Sequence, residues 1–163
     1  MSGAAQRLHA SCVAVGPRAA LITGPTGSGK SSLAIQLIAM GARLVSDDQT
    51  HVSTRDQKVI ARPPETLAGL LEMRGIGLVK LDYQAQAEVV LVVDMSTGAA
   101  DPSVPRLPQL RKTTLGYVAV PLIPGKNRPH LAYETMVCLR AGRESLFLDP
   151  EAPLEGVTDV GAQ

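Results

Sequence analysis

Gly24-Pro25-Thr26-Gly27-Ser28-Gly29-Lys30-Ser31 decides how the chain is read. It fits the pattern G-x-x-x-x-G-K-[ST], whose glycines let the backbone curl until successive N–H groups face one anion. A helix that follows such a loop adds the positive end of its dipole. In this arrangement Lys30 reaches the β- and γ-phosphates of a nucleotide and the Ser31 hydroxyl holds Mg²⁺. Nucleotide contacts are expected from Gly24 through Ser32. A glycine-rich turn can carry the same letters by chance, so the flanks decide. Ala19-Ala20-Leu21-Ile22-Thr23 in front is a short apolar run suited to a buried strand. Residues 31–40 behind it carry helix formers and stop at Gly41, a natural C-cap. Strand, loop and helix stand in the order that a phosphate-binding loop needs.

Composition sets the limits. A chain of 163 residues is the size of one domain and can bury a real core. Its hydrophobic content is 45% but its aromatic content only 2%, so Leu, Val, Ile, Ala and Met must fill that core. A formal net charge of +1 gives no reason to expect nucleic acid or an anionic membrane as partner. Cys12 and Cys138 are isolated and have no metal-ligand spacing, so they read as reduced, buried thiols. No segment approaches the roughly 18 apolar residues of a membrane span. The start of the chain makes a poor signal peptide, and the cytoplasm is the expected compartment.

Around the loop, the chain reads as follows. Residues 1–8 are a loose leader, residues 8–15 a first strand, and Gly16-Pro17 the turn into the strand before the loop. Residues 42–45 form a short strand that delivers Ser46-Asp47-Asp48 at its end, where open α/β sheets handle ligands. Residues 52–61 suit a strand pair. Residues 67–79 hold three glycines and read as strand or loop rather than helix. Residues 88–95 read as a strand, and 97–108, with three prolines, as a surface loop. Residues 118–123 are extended, Pro121 suggesting an edge or a strand end. A loop at 124–128 then leads to Pro129 at N1 of a last helix, about 130–140, ending near Gly142. The tail from 151 is acidic and rich in Pro and Gly, hence frayed. The expected fold is a strand-rich α/β single domain over 1–163, its core at about 8–142, with a phosphate loop between a strand and a helix and a C-terminal helix.

Phosphoryl transfer also needs a carboxylate for the metal and, for a hydroxyl acceptor, one to take the proton. Three candidates compete. Asp94 closes the apolar run 89–93 and is narrowly favoured by pattern, although it can equally start a turn before Ser96-Thr97-Gly98. Asp47 and Asp48 are adjacent, so double ionisation is disfavoured and one of them moves toward the range of a useful base. Glu72 lies in the glycine-punctuated segment beside Arg74.

Five motifs occur in order: His9-Ala10-Ser11-Cys12-Val13, the loop from Gly24 to Ser31, Arg43-Leu44-Val45-Ser46-Asp47-Asp48, Leu71-Glu72-Met73-Arg74-Gly75-Ile76-Gly77, and Ile123-Pro124-Gly125-Lys126-Asn127. Together they resemble the HPr kinase/phosphorylase family, and more closely its short forms without the N-terminal domain. The resemblance covers about residues 8–140. It implies ATP-dependent phosphorylation of a regulatory serine on an HPr-type phosphocarrier of the phosphotransferase system. It also implies the reverse reaction, in which inorganic phosphate removes the group and pyrophosphate leaves.

By the same resemblance Asp48 accepts the serine proton and Asp47 assists it or the metal. Ser31 and Glu72 hold Mg²⁺, so Glu72 displaces Asp94 as metal carboxylate. His9 becomes the active-site histidine, where on its own a lone His in a first strand reads as structural. Arg106, in Pro105-Arg106-Leu107-Pro108, becomes the arginine that neutralises charge on the moving phosphoryl group. Pro124, Gly125, Lys126 and Asn127 match the segment tied to dephosphorylation, with Lys126 where many relatives have Arg; the two bind phosphate differently. Longer relatives assemble as hexamers, so a homo-oligomer is also implied. Two other readings stand beside this one. The chain could be a small phosphate-loop kinase acting on a metabolite, or a nucleotide-sensing module without catalysis.

Overall fold

The structure, a computed structural model, describes residues 3–98 and 111–142. In chain order the strands are β1 (Gln6–Leu8), β2 (Ala10–Val15) and β3 (Arg18–Thr23), followed by helix α1 (Lys30–Ala39). Then come β4 (Arg43–Ser46), β5 (Thr50–Arg55), β6 (Lys58–Arg62), β7 (Leu70–Met73) and β8 (Gly77–Lys80). The last elements are β9 (Ala87–Gly98), β10 (Lys112–Leu115), β11 (Val118–Lys126) and α2 (Leu131–Ala141).

Nine strands make one sheet in the order β1-β5-β6-β9-β3-β2-β4, with β11 joined to β9 and β10 to β11. Its centre is parallel: β9 runs with β3 on one edge and with β11 on the other. The flanking pairs are antiparallel, including β2 with β4. Strands β7 and β8 form a separate hairpin.

Period-2 alternation divides the core between the two faces of the sheet. Val13, Ala20 and Ile22 face α1 and α2, where they meet Leu33, Leu37, Met136 and Leu139. Cys12, Ala14, Ala19 and Leu21 face the other way, toward Val45, Val52, Val59 and Val120. In β9 the alternation slips. Val90 and Leu91 share the helix side, and the register against β3 shifts between Ala19 and Ala20, as a β-bulge requires. Val89 and Val92 lie on the opposite side. An apolar run can therefore feed both clusters from one strand. The guanidinium of Arg18 donates to the carbonyls of Leu139 and Arg140, satisfying the open end of α2.

The expected strand–loop–helix unit, the strand before Asp47-Asp48, the pair 52–61 and the final helix are present, within a residue or two at their ends. Several expectations need correction. The leader is structured from Gln6, because β1 pairs with β5, and His9 is a bend that separates β1 from β2. Residues 67–79 do read correctly as strand and turn: they hold the β7–β8 hairpin, entered from a short 3-10 turn at Glu65–Leu67. Strand 88–95 runs on to Gly98, and the remainder of the expected loop, 99–108, lies outside the described residues, as does the tail from 151.

Pro121 is neither an edge nor an end. It falls inside β11, at the step where that strand leaves β10 and takes up β9, so its missing N–H costs little. Pro124, Gly125 and Lys126 belong to β11 rather than to a loop, because pairing with β9 extends to Gly98 across a shift in register. Pro129 precedes the N-cap His130, which leaves Leu131 at N1. Strand β10 has no counterpart in the sequence reading. Among the described residues no helix is long and apolar enough to cross a membrane.

Candidate active site

Residues 24–29 connect β3 to α1 and curl back on themselves, with the Ser28 N–H donating to Pro25 O at 3.1 Å. At Gly24 a Cβ would stand 2.7 Å from Ser28 Oγ and 3.0 Å from the Met95 Cβ, so no side chain fits there. Gly29, at φ 97°, turns the chain into α1 without a side-chain cap, and the first turn holds no acidic residue. The N–H groups at this helix start are therefore free for an anion. Lys30 is buried. Its Nζ donates to the carbonyls of Gly24 and Pro25 at 2.8 and 3.0 Å, so the ammonium is held inside the loop. Ser28 Oγ is buried without a hydrogen-bond partner. An unmet polar atom, free N–H groups and a captive ammonium in one glycine loop fit a chain of phosphates.

The acidic pair lies just beyond β4. Ser46 Oγ donates to the carbonyl of Gln49 and closes the turn, while Thr50 Oγ1 ties the next strand to Ala10 O at 2.8 Å. The two carboxylates then part. Asp47 is buried, and its Oδ1 accepts from Ser11 Oγ at 2.8 Å and from Ser31 Oγ at 2.9 Å. Asp48 takes the left-handed conformation, φ 65°, and turns its side chain toward solvent. Its Oδ1 stands 3.3 Å from His9 Nδ1, and the other ring nitrogen of His9 lies 3.3 Å from Thr26 Oγ1 in the loop.

These groups line a cavity of about 360 Å³, with Glu72 and Arg74 of the β7–β8 hairpin on its wall. A second cavity, about 840 Å³, meets the first at Gly29 and Ser32. It runs between α1 and the connection from β11 to α2, where Leu33, Met95 and Leu131 give an apolar wall and Asn127 and Arg128 a polar rim. Arg128 is fixed there by Glu134, with an Nη2–Oε2 distance of 2.6 Å. That hydrogen bond raises the guanidinium pKa further, against a smaller opposing effect of burial.

Of the residues chosen from sequence, His9, Lys30, Ser31, Asp47, Asp48 and Glu72 come together around the smaller cavity with Thr26, Gly27, Gly29 and Ser32 of the loop. Gly125 and Asn127 line the larger cavity instead, Asn127 at φ 57°. Arg106 lies outside the described residues. Asp94 does not line the smaller cavity. Its carboxylate accepts from Ser96 N and Oγ at 2.9 and 2.6 Å and from Thr97 Oγ1 at 3.2 Å, so the strand that carries it also occupies it.

Among the described residues no three His, Cys, Asp or Glu side chains gather as a metal-ligand cluster. Ser31, Asp47 and Glu72 are among the oxygen-bearing residues of the cavity wall and could serve a Mg²⁺ ion, which needs few protein oxygens. Sequence reasoning missed Ser11 as an individual residue, and left Arg74 only as a neighbour of Glu72. A serine between apolar strand residues carries no local signal of its partners.

The chain is a strand-rich α/β domain whose glycine loop, with an inward lysine between a strand and a helix, faces a carboxylate pair. Comparison with known proteins then gives the family. Residues 3–141 match the model of the HPr Serine kinase C-terminal domain, and the chain belongs to that family. It is 44% identical over 73 residues to an HPr kinase/phosphorylase of Clostridium beijerinckii, covering 45% of this chain and 24% of that relative. To an HPr kinase/phosphorylase of Limosilactobacillus reuteri it is 32% identical over 134 residues, 74% of this chain and 42% of the relative. The chain thus spans less than half the length of these curated relatives. A solved structure, the Hpr(Ser) kinase/phosphatase from Coxiella burnetii, superposes with a TM-score of 0.71 at 26% identity, covering 85% of this chain and 97% of that one.

Proposed function

We propose that this chain transfers the γ-phosphoryl group of ATP to a serine of an HPr-type phosphocarrier protein. The observation that carries the reading is the division of labour between Asp47 and Asp48. One carboxylate is buried against the Ser31 hydroxyl, and the other is open to solvent beside His9, at the mouth of the same phosphate loop. That is the arrangement a transfer to an external hydroxyl needs.

The loop N–H groups and Lys30 bind and orient the phosphates. Ser32, where the two cavities meet, marks the direction in which the nucleoside leaves, so the larger cavity receives it. Ser31 and Glu72 would hold Mg²⁺, with Asp47 hydrogen-bonded to Ser31, and the ion would supply positive charge to the phosphate oxygens. Asp48 accepts the proton of the serine hydroxyl as its oxygen bonds to phosphorus, and the bond from phosphorus to the ADP oxygen breaks. The His9 ring, its Nδ1 3.3 Å from Asp48 Oδ1, holds that carboxylate at the loop. Arg106 is assigned to the charge on the transferred group.

Run backward, an oxygen of inorganic phosphate in the loop bonds to the phosphorus of the phosphoserine as the bond from that phosphorus to the serine oxygen breaks; protonated Asp48 gives its proton to the serine oxygen, and pyrophosphate leaves. Pro124, Gly125, Lys126 and Asn127 serve that direction. The relatives' name, kinase/phosphorylase, supports both directions.

The test is to incubate the chain with an HPr-type carrier, ATP and Mg²⁺ and to measure the carrier's mass and the modified position. One added phosphate on a serine is the expected result. Nucleotide hydrolysis with an unmodified carrier would instead point to a different acceptor, or to a nucleotide-sensing module.

A further inference from the structure

Ser11 has no exposed surface, and its hydroxyl touches both acidic residues of the site. A hydroxyl has one proton to donate and lone pairs to accept with. Ser11 Oγ donates to Asp47 Oδ1 at 2.8 Å and accepts the backbone N–H of Asp48 at 3.3 Å. Asp47 Oδ1 in turn accepts from Ser31 Oγ at 2.9 Å. The run Asp48 N–H, Ser11, Asp47, Ser31 therefore ties β2, the turn after β4 and the first turn of α1 to a single oxygen.

Packing does not ask for that oxygen. Val13, the next residue on the same face of β2, fills its position without a hydroxyl, and Ser11 pairs with the apolar Ile22 across the β2–β3 ladder. The conformation beyond it does ask. Asp48 stands at φ 65°, a region that residues with a side chain seldom enter, and that backbone aims its carboxylate at His9.

We propose that Ser11 is the positioning residue of this site: its hydroxyl holds the Asp47 carboxylate on Ser31 and holds Asp48 in the left-handed conformation that brings its carboxylate to His9. The inference rests on the phosphoryl-transfer reading above and goes beyond it, because it makes a buried strand residue set the geometry of both carboxylates. Ser11 is fully buried and does not line the cavity. It acts through the two aspartates.

The experiment compares wild type with Ser11→Ala and Ser11→Thr by two readouts. The first is carrier phosphorylation, as kcat and the KM for ATP. The second is calorimetric ADP binding with and without Mg²⁺, which also gives the fraction of chains that bind. Ser11→Ala is expected to lower kcat by about ten- to a hundredfold, the scale of a displaced reacting group, while KM stays within about twofold. Its binding stoichiometry stays full, and the gain in ADP affinity brought by Mg²⁺ shrinks severalfold. Ser11→Thr, which restores the hydroxyl, keeps kcat within about fivefold of wild type.

Wild-type kcat and an unchanged Mg²⁺ gain in Ser11→Ala would overturn the inference. So would a loss of kcat matched by an equal loss of binding-competent chains, or a Thr variant as slow as Ala. A wild-type chain that modifies no carrier would sink the function reading alone, and the Mg²⁺ gain in ADP affinity would still decide Ser11.

Discussion

The Nδ1 of His9 lies 3.3 Å from Asp48 Oδ1, and its Nε2 lies 3.3 Å from Thr26 Oγ1, so one imidazole joins the exposed carboxylate to the phosphate loop. The bend between β1 and β2 puts it there. His9→Ala is expected to slow carrier phosphorylation by about ten- to a hundredfold through loss of orientation, with ADP affinity within about threefold of wild type. Initial rates and an ADP titration check this. An unchanged rate would remove His9 from the mechanism.

Asp47 faces Ser31 from within the protein, and its charge matters there more than its shape. Asp47→Asn keeps an oxygen for Ser11 and Ser31 but loses that charge. The Mg²⁺ concentration for half-maximal rate should rise by about tenfold, the effect typical of groups that orient metal ligands. Titrating Mg²⁺ at fixed ATP measures it. A curve that superposes on wild type would count against the role of Asp47.

Gly125 tests the packing that supports the larger cavity. A Cβ there would meet Val93 Cγ1 at 2.9 Å and Leu131 Cδ2 and Met95 Sδ at 3.0 Å. Val93 is stiff at χ1, so it cannot swing aside cheaply. Gly125→Ala should destabilise the fold by about 1–3 kcal/mol in urea unfolding, as overpacking does. Wild-type stability would show that β11 and α2 can move apart at no cost.

Burial pushes the Cys12 thiol far above its ordinary 9.0, and burial, then the charge of Glu134, raises Cys138 as well. A thiol whose folded pKa is raised keeps its proton in the native state while the unfolded chain loses it. Stability is thus level with respect to Cys12 below about pH 9 and falls above it, by up to about 1.4 kcal/mol per pH unit, while the half-buried Cys138 adds a smaller, solvent-screened decline. Urea unfolding between pH 8 and about 10.5 should show the decline, and Cys12→Ala should make it shallower. A slope unaltered by that change would contradict the assignment to Cys12.

The sequence shows most clearly what depends on neighbours along the chain. The run 19–23, the glycine loop and the helix before Gly41 form one local unit, and Gly24 to Ser31 could be placed without reference to the rest. Pro124 to Lys126 looked like a loop because proline and glycine punctuate locally; only pairing with β9 makes them a strand. Strand β10 is four residues, Lys-Thr-Thr-Leu, with no apolar alternation to announce it.

At the site, local pattern favoured Asp94, since an apolar strand ending in Asp can present a metal ligand. The structure gives that carboxylate to Ser96 and Thr97 of its own strand. The family resemblance puts Glu72 in that place and ranks Asp48 above Asp47 as the proton acceptor, but it does not say how the two neighbouring carboxylates part. Their separation depends on Ser11, which meets them only because β2 pairs with β4. No spacing within either strand carries that contact.

The measurement that bears most directly on the account is the initial rate at which Asp48→Asn phosphorylates a carrier serine, with ADP affinity as the control. Asparagine tolerates the left-handed conformation of residue 48, so this change removes the proton acceptor and leaves the backbone in place. The rate should fall by at least about a hundredfold, as loss of a general base does, while ADP binds within about threefold of wild type. A rate within threefold of wild type would contradict the account, because the proton of the serine would then leave by another route.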